Sequence, residues 1–207
     1  MNVLELFAGS RCIGNAAESL GMKVFSVDWS NYDKIDLQID IEQLKLCDVP
    51  FIPNIVWASP DCTTYTIAAI SKHRNGTIPK SEYAEKCDNV NKHFITLINM
   101  WLKINPQLVF FIENPRGMLR KMPFMQEFKR HTIWYCQYGD DRAKPTDIWT
   151  NSKDWQPRPI CHNGNKNCHH QPAPRGSKTG TQGRKGSYER SIIPRQLCLE
   201  VLSSACR

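Results

Sequence analysis

Short apolar runs and longer amphipathic stretches alternate along the first two thirds of the chain, which is the pattern of an α/β domain. The apolar runs predict strands over residues 2–7, 23–27, 55–57 and 108–112. The last run has five apolar residues in succession, as expected of a central strand buried on both faces. Helical spacing of apolar residues predicts helices over residues 15–20 and 81–104. We therefore expect an α/β fold with a mostly parallel sheet.

The last third of the chain has a different pattern. Residues 132–138 and 147–150 are strand-like with no long helix between them, which predicts an antiparallel hairpin at the sheet edge. Residues 151–190 contain four prolines and five glycines and have almost no periodicity, so we expect an irregular segment there. Residues 194–205 have an amphipathic pattern and predict a final helix. The polar stretch 71–81 is interpreted as a mobile loop.

Charge is concentrated in the irregular segment. The chain has a formal charge of +7, and residues 151–190 carry eight Lys or Arg against only Asp154 and Glu189. The first 150 residues are therefore close to neutral. A basic segment attached to a neutral domain indicates binding to a polyanion, with a solvated loop as the alternative.

The nine cysteines are odd in number and have no framework spacing, which favours reduced thiols and a cytoplasmic location over a secreted disulfide scaffold. The chain starts directly on an apolar strand, so we expect no signal peptide. It has no apolar run of about 18 residues, so we expect no membrane span.

The first predicted strand, turn, helix and second strand form a βαβ unit of Rossmann-like type. Small residues in the turn 8–14 let the backbone approach a ligand closely, and Asp28 at the end of the second strand can accept hydrogen bonds from a ribose diol. Ligands of such units range from nicotinamide cofactors to S-adenosylmethionine. Asp40 either contacts an adenine amine or caps a helix that begins near Ile41.

Two reactive side chains follow predicted strands. Cys62 lies in a proline turn after the strand at 55–57, where it is either a nucleophile or a half-buried structural cysteine. Glu113 lies at the exit of the buried strand, where a carboxylate needs a chemical role or a partner. Arg116 and Arg120 are the candidate partners for an ion pair.

Seven short stretches occur in a characteristic order. They are Leu6-Phe7-Ala8-Gly9, Asp28, Asp40-Ile41, Ser59-Pro60-Asp61-Cys62, Glu113-Asn114-Pro115, Tyr138-Gly139 followed by Arg142 and Lys144, and Ser191-Ile192-Ile193-Pro194. With these stretches the chain resembles the DNA (cytosine-5) methyltransferases along most of its length. The resemblance implies a Rossmann-like methyltransferase fold that transfers a methyl group from S-adenosylmethionine to C5 of a flipped-out cytosine in double-stranded DNA.

The resemblance also implies roles for individual residues. The implied catalytic residues are Cys62, Glu113, Asn114, Arg142 and Lys144. The implied cofactor-binding residues are Phe7, Ala8, Gly9, Ser10, Asp28, Trp29, Asp40, Ile41 and Pro60. The expected DNA contacts are Lys72, Arg74, Arg175, Lys178, Arg184 and Lys185. We expect a catalytic domain over residues 1–150, a target-recognition segment over 151–190, and a helix within 191–207 that returns to the catalytic domain.

The chain departs from the family pattern at three places. Arg11 and Cys12 stand where the family usually has two glycines, and Asp61 stands where it has proline before the nucleophile. A carboxylate beside the thiol is expected to raise the pKa of the thiol. Where the family usually has an Arg-x-Arg sequence, this chain has Lys144-Pro145-Thr146. Only about 40 residues remain for target recognition, so we expect a short DNA site and salt-sensitive phosphate contacts.

The irregular segment contains four possible zinc ligands, Cys161, His162, Cys168 and His170. Their spacing matches no standard zinc finger, so we predict no metal and keep zinc at these four residues as the alternative. Two alternatives to DNA methylation also stay open: the same chemistry on RNA, and a catalytically inactive DNA-binding protein. We infer no obligate protein partner.

Overall fold

The computed structural model describes residues 1–173 and 186–206. Nine strands are present in this part of the chain: β1 (Asn2–Leu6), β2 (Lys23–Asp28), β3 (Leu37–Gln38), β4 (Ile55–Ala58), β5 (Arg74–Asn75), β6 (Ile78–Pro79), β7 (Val109–Pro115), β8 (Arg130–Trp134) and β9 (Pro145–Thr150). The helices are α1 (Cys12–Ser19), α2 (Ile70–His73), α3 (Glu82–Ile104), α4 (Gly186–Ser191) and α5 (Arg195–Ser204).

Seven of the strands form one sheet in the order β3-β2-β1-β4-β7-β9-β8, and β5 pairs with β6 in a separate hairpin. The first five strands of this order are parallel, and β9 runs antiparallel to both of its neighbours. The predicted α/β class is confirmed: this is a Rossmann-like, mostly parallel sheet with an antiparallel edge hairpin. The register pairs Leu6 with Ala58 and Ala58 with Ile112, so three strand ends meet at one edge.

The chain order within this sheet creates a cleft. After β1 the chain proceeds outward through β2 and β3, and then returns to place β4 on the other side of β1. Helices that leave β1 and β4 therefore start on different faces, and the carboxyl ends of these two strands border a crevice. This topological switch point is where the loop after β1 and the loop that contains Cys62 lie side by side.

Apolar clusters cover both faces of the sheet. One face packs α1 against α5, with Ile13, Ala17, Leu197 and Val201 buried among strand residues. The other face packs α3 through its regularly spaced apolar side chains. The predicted helix 81–104 is confirmed, and Ser81 caps it by accepting a hydrogen bond from the backbone N–H of Ala84 at 3.2 Å.

Three local predictions are wrong. Residues 71–81, interpreted as a mobile loop, contain the end of α2 and the hairpin of β5 and β6. The predicted strand 132–138 ends at Trp134 and continues as a 3₁₀ turn, because Gly139, with φ of +87°, reverses the chain toward β9. No crossover helix follows Asp40, and two 3₁₀ turns (Ile41–Gln43 and Leu46–Asp48) take its place. Pro50 and Pro53 follow closely and disfavour a longer helix there.

The irregular segment is fixed to the hairpin end of the sheet. Residues 151–173 contain no helix or strand, apart from an isolated bridge between Gln171 and Arg142. The backbone N–H of Gln171 donates to the Asp141 carbonyl at 2.9 Å, and a ring nitrogen of His169 contacts the Asp140 carbonyl at 3.0 Å. None of the helices in the described ranges is long and apolar enough to cross a bilayer.

Candidate active site

The carboxyl ends of β1, β4 and β7 open into a cavity of about 730 Å³. This volume is in the range of sites for cofactor-sized ligands. Its walls come from the loop after β1, the loop after β4, the end of β7 and the start of β9, and from distant parts of the chain. Residues of the predicted site that line it are Phe7, Ala8, Gly9, Ser10, Pro60, Cys62, Glu113 and Lys144.

The loop after β1 has an unusual backbone. Phe7 and Gly9 have φ angles of +57° and +49°, a region that costs little only for glycine. The backbone N–H of Gly9 donates to Oδ2 of Asp28 at 2.9 Å, and Oδ1 of the same carboxylate accepts from Ser30 N–H at 2.8 Å. Asp28 is buried and does not line the cavity, so in this structure it shapes the loop.

The side chain of Arg11 is buried against the same loop. It has a φ of +52°, is 4% exposed, and donates from Nε to Ser26 Oγ at 2.9 Å. Its guanidinium also pairs with Glu18 at 2.7 Å. The turn after β1 contains few glycines, and the buried side chain of Arg11 stabilises it through these contacts.

Glu5 is a candidate site residue that the sequence reasoning missed. It lines the cavity, accepts hydrogen bonds from Ser26 Oγ at 2.9 Å and Ile13 N–H at 3.1 Å, and is 2% exposed. Burial raises the pKa of its carboxyl to about 7, against hydrogen bonding and the positive charge of Arg11. The sequence does contain a signal for this residue, because Glu5 is a carboxylate within the otherwise apolar predicted strand 2–7.

Cys62 is half-buried and lies in a loop that is braced from both sides. Nδ2 of Asn114 donates to the Pro60 carbonyl at 2.8 Å, and Asp61 accepts from the backbone N–H of Thr63 at 2.6 Å. The pKa of the Cys62 thiol is raised to about 11, chiefly by burial; Lys144 lowers it, and Asp61 and Glu113 raise it. The expected effect of Asp61 on the thiol therefore has the predicted direction.

Glu113 is 5% exposed and faces the same cavity as Cys62. The Tyr135 hydroxyl donates to its Oε1 at 2.9 Å. Burial raises the pKa of the Glu113 carboxyl, while Lys144 and hydrogen bonds from Tyr135 and Ser59 oppose the shift. A carboxyl in this environment keeps its proton to higher pH than an exposed one. The anticipated ion pair with Arg116 or Arg120 is absent from the described contacts, since Arg120 pairs with Asp147.

The two basic residues of the hairpin have different positions. Lys144 lines the cavity, is 6% exposed, and places Nζ 4.6 Å from the centre of the Tyr135 ring. Burial lowers the pKa of this ammonium, although Glu113 and Cys62 oppose the shift. Arg142 does not line the cavity. Its Nε donates to Asp140 at 2.7 Å and its Nη2 to the Ile192 carbonyl at 3.0 Å, so the assignment of Arg142 as a catalytic contact is corrected to a structural one.

The predicted DNA contact at Arg74 is wrong. Its side chain is fully buried, pairs with both oxygens of Asp88 at 2.6 and 3.0 Å, and donates to the Thr64 carbonyl at 2.9 Å. The guanidinium therefore braces the loop after Cys62. Lys72 is exposed, as a DNA contact requires. The other four predicted contacts, Arg175, Lys178, Arg184 and Lys185, lie outside the described residues.

Besides Asp28, three predicted cofactor contacts lie away from the cavity. Trp29 is 71% exposed and Ile41 is buried in the core, and neither lines the cavity. Asp40 accepts from the backbone N–H of Glu42 at 3.1 Å and pairs with Lys86 at 2.7 Å. Two roles were considered for Asp40, contact with an adenine amine and capping of a helix. The structure shows a cap, on the 3₁₀ turn Ile41–Gln43.

The irregular segment contributes a wall that the sequence did not predict. His162, Asn163 and Ala173 line the cavity, together with Arg190 and Ser191. His162 is therefore separate from the other candidate zinc ligands, and Cys136 takes its place in a cluster with Cys161, Cys168 and His170. No spacing signal in the sequence connects Cys136 with this segment.

The fold and the cavity define a Rossmann-like α/β protein with a ligand site at the carboxyl edge of its sheet. No protein-family model and no curated protein sequence matches the chain. Two solved structures are similar in fold, the Dnmt2 methyltransferase of S. pombe (15% identity, TM-score 0.49) and a mutant DNMT2 of Spodoptera frugiperda (17% identity, TM-score 0.47). The similarities cover 72% and 76% of this chain and 48% and 53% of those chains. The chain therefore spans about half the length of each structure.

Proposed function

We propose that this chain is a cytosine C5 methyltransferase that uses S-adenosylmethionine and acts on double-stranded DNA. The observation that carries the proposal is that the thiol of Cys62 and the buried carboxyl of Glu113 line one cavity. They come from the ends of β4 and β7, which are neighbours in the sheet. A nucleophile and a proton donor on adjacent strands match the needs of covalent addition to a pyrimidine.

The residues around the cavity fit the cofactor. Phe7, Ala8, Gly9, Ser10 and Pro60 form a wall of small and apolar groups in a space large enough for a nucleoside with its amino-acid chain. These five residues would hold S-adenosylmethionine, which supplies an electrophilic methyl group on a sulfonium. The strained backbone at the loop after β1 lets a ligand approach the main chain closely.

The chemistry of the chain's own residues begins at Cys62. Its thiolate adds to C6 of cytosine, which gives C5 the electron density to attack an electrophile. Burial raises the pKa of the Glu113 carboxyl, so it holds its proton to higher pH than an exposed carboxyl, and in its protonated form it can donate to N3 and hold the exocyclic amine. Lys144 offers positive charge to the developing thiolate. Loss of the C5 proton to a base then expels the Cys62 thiolate and restores the aromatic ring.

A nucleic acid substrate is supported by charge. The chain carries +7 overall, and residues 151–190, which supply part of the cavity wall, contain eight Lys or Arg against only Asp154 and Glu189. Cationic groups around a pocket attract the phosphates of a polyanion and make binding depend on salt. A cytosine within a duplex has to leave the stack to reach Cys62, at a cost of a few kcal/mol.

The test is methyl transfer from labelled S-adenosylmethionine to duplex DNA and, in parallel, to RNA. We expect label in duplex DNA with the wild type and the Cys47→Ala control, since Cys47 is exposed, and none with Cys62→Ala. Label only in RNA would move the substrate to RNA and keep the chemistry. Equal label from Cys62→Ala would refute the nucleophile assignment. DNA binding with neither label nor cofactor binding would show that the chain is an inactive DNA-binding protein.

A further inference from the structure

The second chemically distinctive cluster in the described chain consists of three thiols and one imidazole. Cys136, Cys161, Cys168 and His170 each place one possible ligand atom within 4.8 Å of the other three. Cys136, Cys161 and His170 are buried, Cys168 is half-buried, and all three cysteines are free thiols. Three thiols gathered around a buried imidazole form a set of ligands typical of structural zinc.

The spacing of these atoms suits a single ion. In a tetrahedral zinc site, Zn–S bonds of about 2.3 Å and a Zn–N bond of about 2.0 Å place sulfur atoms about 3.8 Å apart and the nitrogen about 3.5 Å from each sulfur. Nδ1 of His170 lies 3.8 Å from Sγ of Cys161. The sulfur atoms therefore need to close by at most about 1.0 Å, and the nitrogen and a sulfur by at most about 1.3 Å, around the ion.

The groups around the cluster resemble the outer shell of a thiolate site. Nδ2 of Asn165 lies 3.4 Å from Sγ of Cys161, and Nε2 of Gln137 lies 3.9 and 3.8 Å from Sγ of Cys136 and of Cys168. Amide N–H groups directed at sulfur stabilise its anionic form, which is the form that binds metal. Trp134 and Ala143 pack against the same cluster and exclude solvent.

We propose that Cys136, Cys161, Cys168 and His170 bind one structural Zn²⁺ ion. Four protein ligands complete a tetrahedral shell and leave no open position for a water, so the ion is structural and not catalytic. Zinc binding displaces the thiol protons and forms three Zn–S bonds and one Zn–N bond, with no oxidation or reduction.

The position of the cluster gives the ion a specific task. Cys136 lies in the 3₁₀ turn directly after Tyr135, whose hydroxyl donates to Glu113 at 2.9 Å. The other three ligands lie in the irregular segment, beside residues such as His162 that line the cavity. The ion would therefore link the irregular segment, which forms one wall of the cavity, to the 3₁₀ turn that contains Tyr135. Tyr135 in turn positions the buried carboxyl of Glu113. Ordering these two parts together is the contribution expected of a small structural zinc site.

The ligand set can be tested with substitutions that separate it from the set suggested by sequence alone. Full-length protein is purified without chelator in the presence of a reductant, and its metal content is measured by mass spectrometry. We expect about one zinc ion per chain in the wild type, in His162→Ala and in the thiol control Cys47→Ser. We expect loss of zinc in Cys136→Ser and a weakening of zinc affinity by about 10- to 100-fold in Asn165→Ala.

A second measurement does not depend on how the variants fold. Replacement of zinc by Co²⁺ in the wild type is expected to give the absorption of tetrahedral cobalt with a sulfur-to-metal charge-transfer band. Wild-type protein with substoichiometric zinc and no such spectrum would overturn the proposal, as would unchanged zinc content in Cys136→Ser. A disulfide between two of the three cysteines in reduced, freshly purified protein would also overturn it. Because this readout is metal content, it is independent of methyl-transfer activity.

Discussion

The ionisation of Cys62 gives the sharpest prediction for the candidate site. The pKa of this thiol is raised to about 11, chiefly by burial; the positive charge of Lys144 lowers it, and Asp61 and Glu113 raise it when they are ionised. At pH 8 a pKa of about 11 leaves about one thiol in a thousand ionised, whereas an ordinary thiol with a pKa of about 8.5 is about one quarter ionised. The difference in thiolate population is therefore about 200-fold at pH 8.

Nucleophilicity offsets part of this difference. A thiolate of higher pKa is more reactive, and a Brønsted coefficient of about 0.4–0.5 gives Cys62 an advantage of about tenfold per ion. The net expectation is that Cys62 in the free protein reacts with a small disulfide about 20-fold more slowly than an ordinary exposed cysteine at pH 8. The pH dependence is more decisive than the absolute rate, because steric access does not change its shape.

The assay is pulsed reaction with a small disulfide from pH 7 to pH 10, quenched with acid and resolved by peptide mass spectrometry. Cys47 is exposed and serves as the internal control. The rate at Cys62 is expected to keep rising about tenfold per pH unit up to about pH 10. Asp61→Asn removes a charge that raises the thiol pKa and should speed the reaction, and Lys144→Met should slow it. A plateau for Cys62 below pH 9 would refute this account of the site.

Three further predictions concern the groups that support the cavity. Arg74→Leu leaves Asp88 buried without its partner and should destabilise the fold by about 3–5 kcal/mol in urea unfolding, while the neighbouring exposed Lys72→Ala should change stability by less than about 0.5 kcal/mol. Glu5 has a folded-state pKa of about 7, above the ordinary 4.5. Because the folded state disfavours the ionised carboxyl, the contribution of Glu5 to the free energy of unfolding is full below pH 4.5 and is lost as pH rises through 7. Unfolding at pH 5 and pH 8 should show this loss, of up to about 3 kcal/mol, and Glu5→Gln should abolish it. Asn114→Ala leaves the Pro60 carbonyl without its 2.8 Å hydrogen bond and should lower kcat far more than it lowers cofactor affinity, measured by steady-state kinetics and calorimetry.

The parts of the molecule that sequence reasoning predicted correctly depend on local pattern. Of the predicted strand 108–112, residues 109–112 lie in β7, because a continuous apolar run is best buried at the centre of a sheet. Ser81 predicts the start of α3 because its side chain satisfies a backbone N–H at the helix end. Cys62 and Glu113 reach one cavity because Cys62 follows β4 and Glu113 lies near the end of β7, and carboxyl ends of parallel strands share an edge.

The predictions that were wrong depend on contacts between distant residues. Arg74 lies in a polar, basic stretch that resembles a surface loop, but Asp88 on α3 provides a buried carboxylate that accepts both of its terminal nitrogens. Cys136 lies in a strand-like run, and its meeting with Cys161 depends on how the irregular segment folds back. Neither hydrophobic periodicity nor motif spacing predicts a contact between residues that are distant in sequence, since both depend only on neighbours along the chain.

Three arginines are buried in the part of the chain that the structure describes, and they share one structural role at the candidate site. Arg11 lies under the loop after β1, Arg74 binds the backbone just after Cys62, and Arg142 binds carbonyls of the segment before α5. Three segments that border the cavity are therefore each held by a planar group that donates several hydrogen bonds at fixed angles. A lysine at any of these positions keeps the charge but loses this geometry, so the replacement is not conservative. Basic residues in a sequence are often interpreted as phosphate contacts, but these three buried arginines support loops around the cavity.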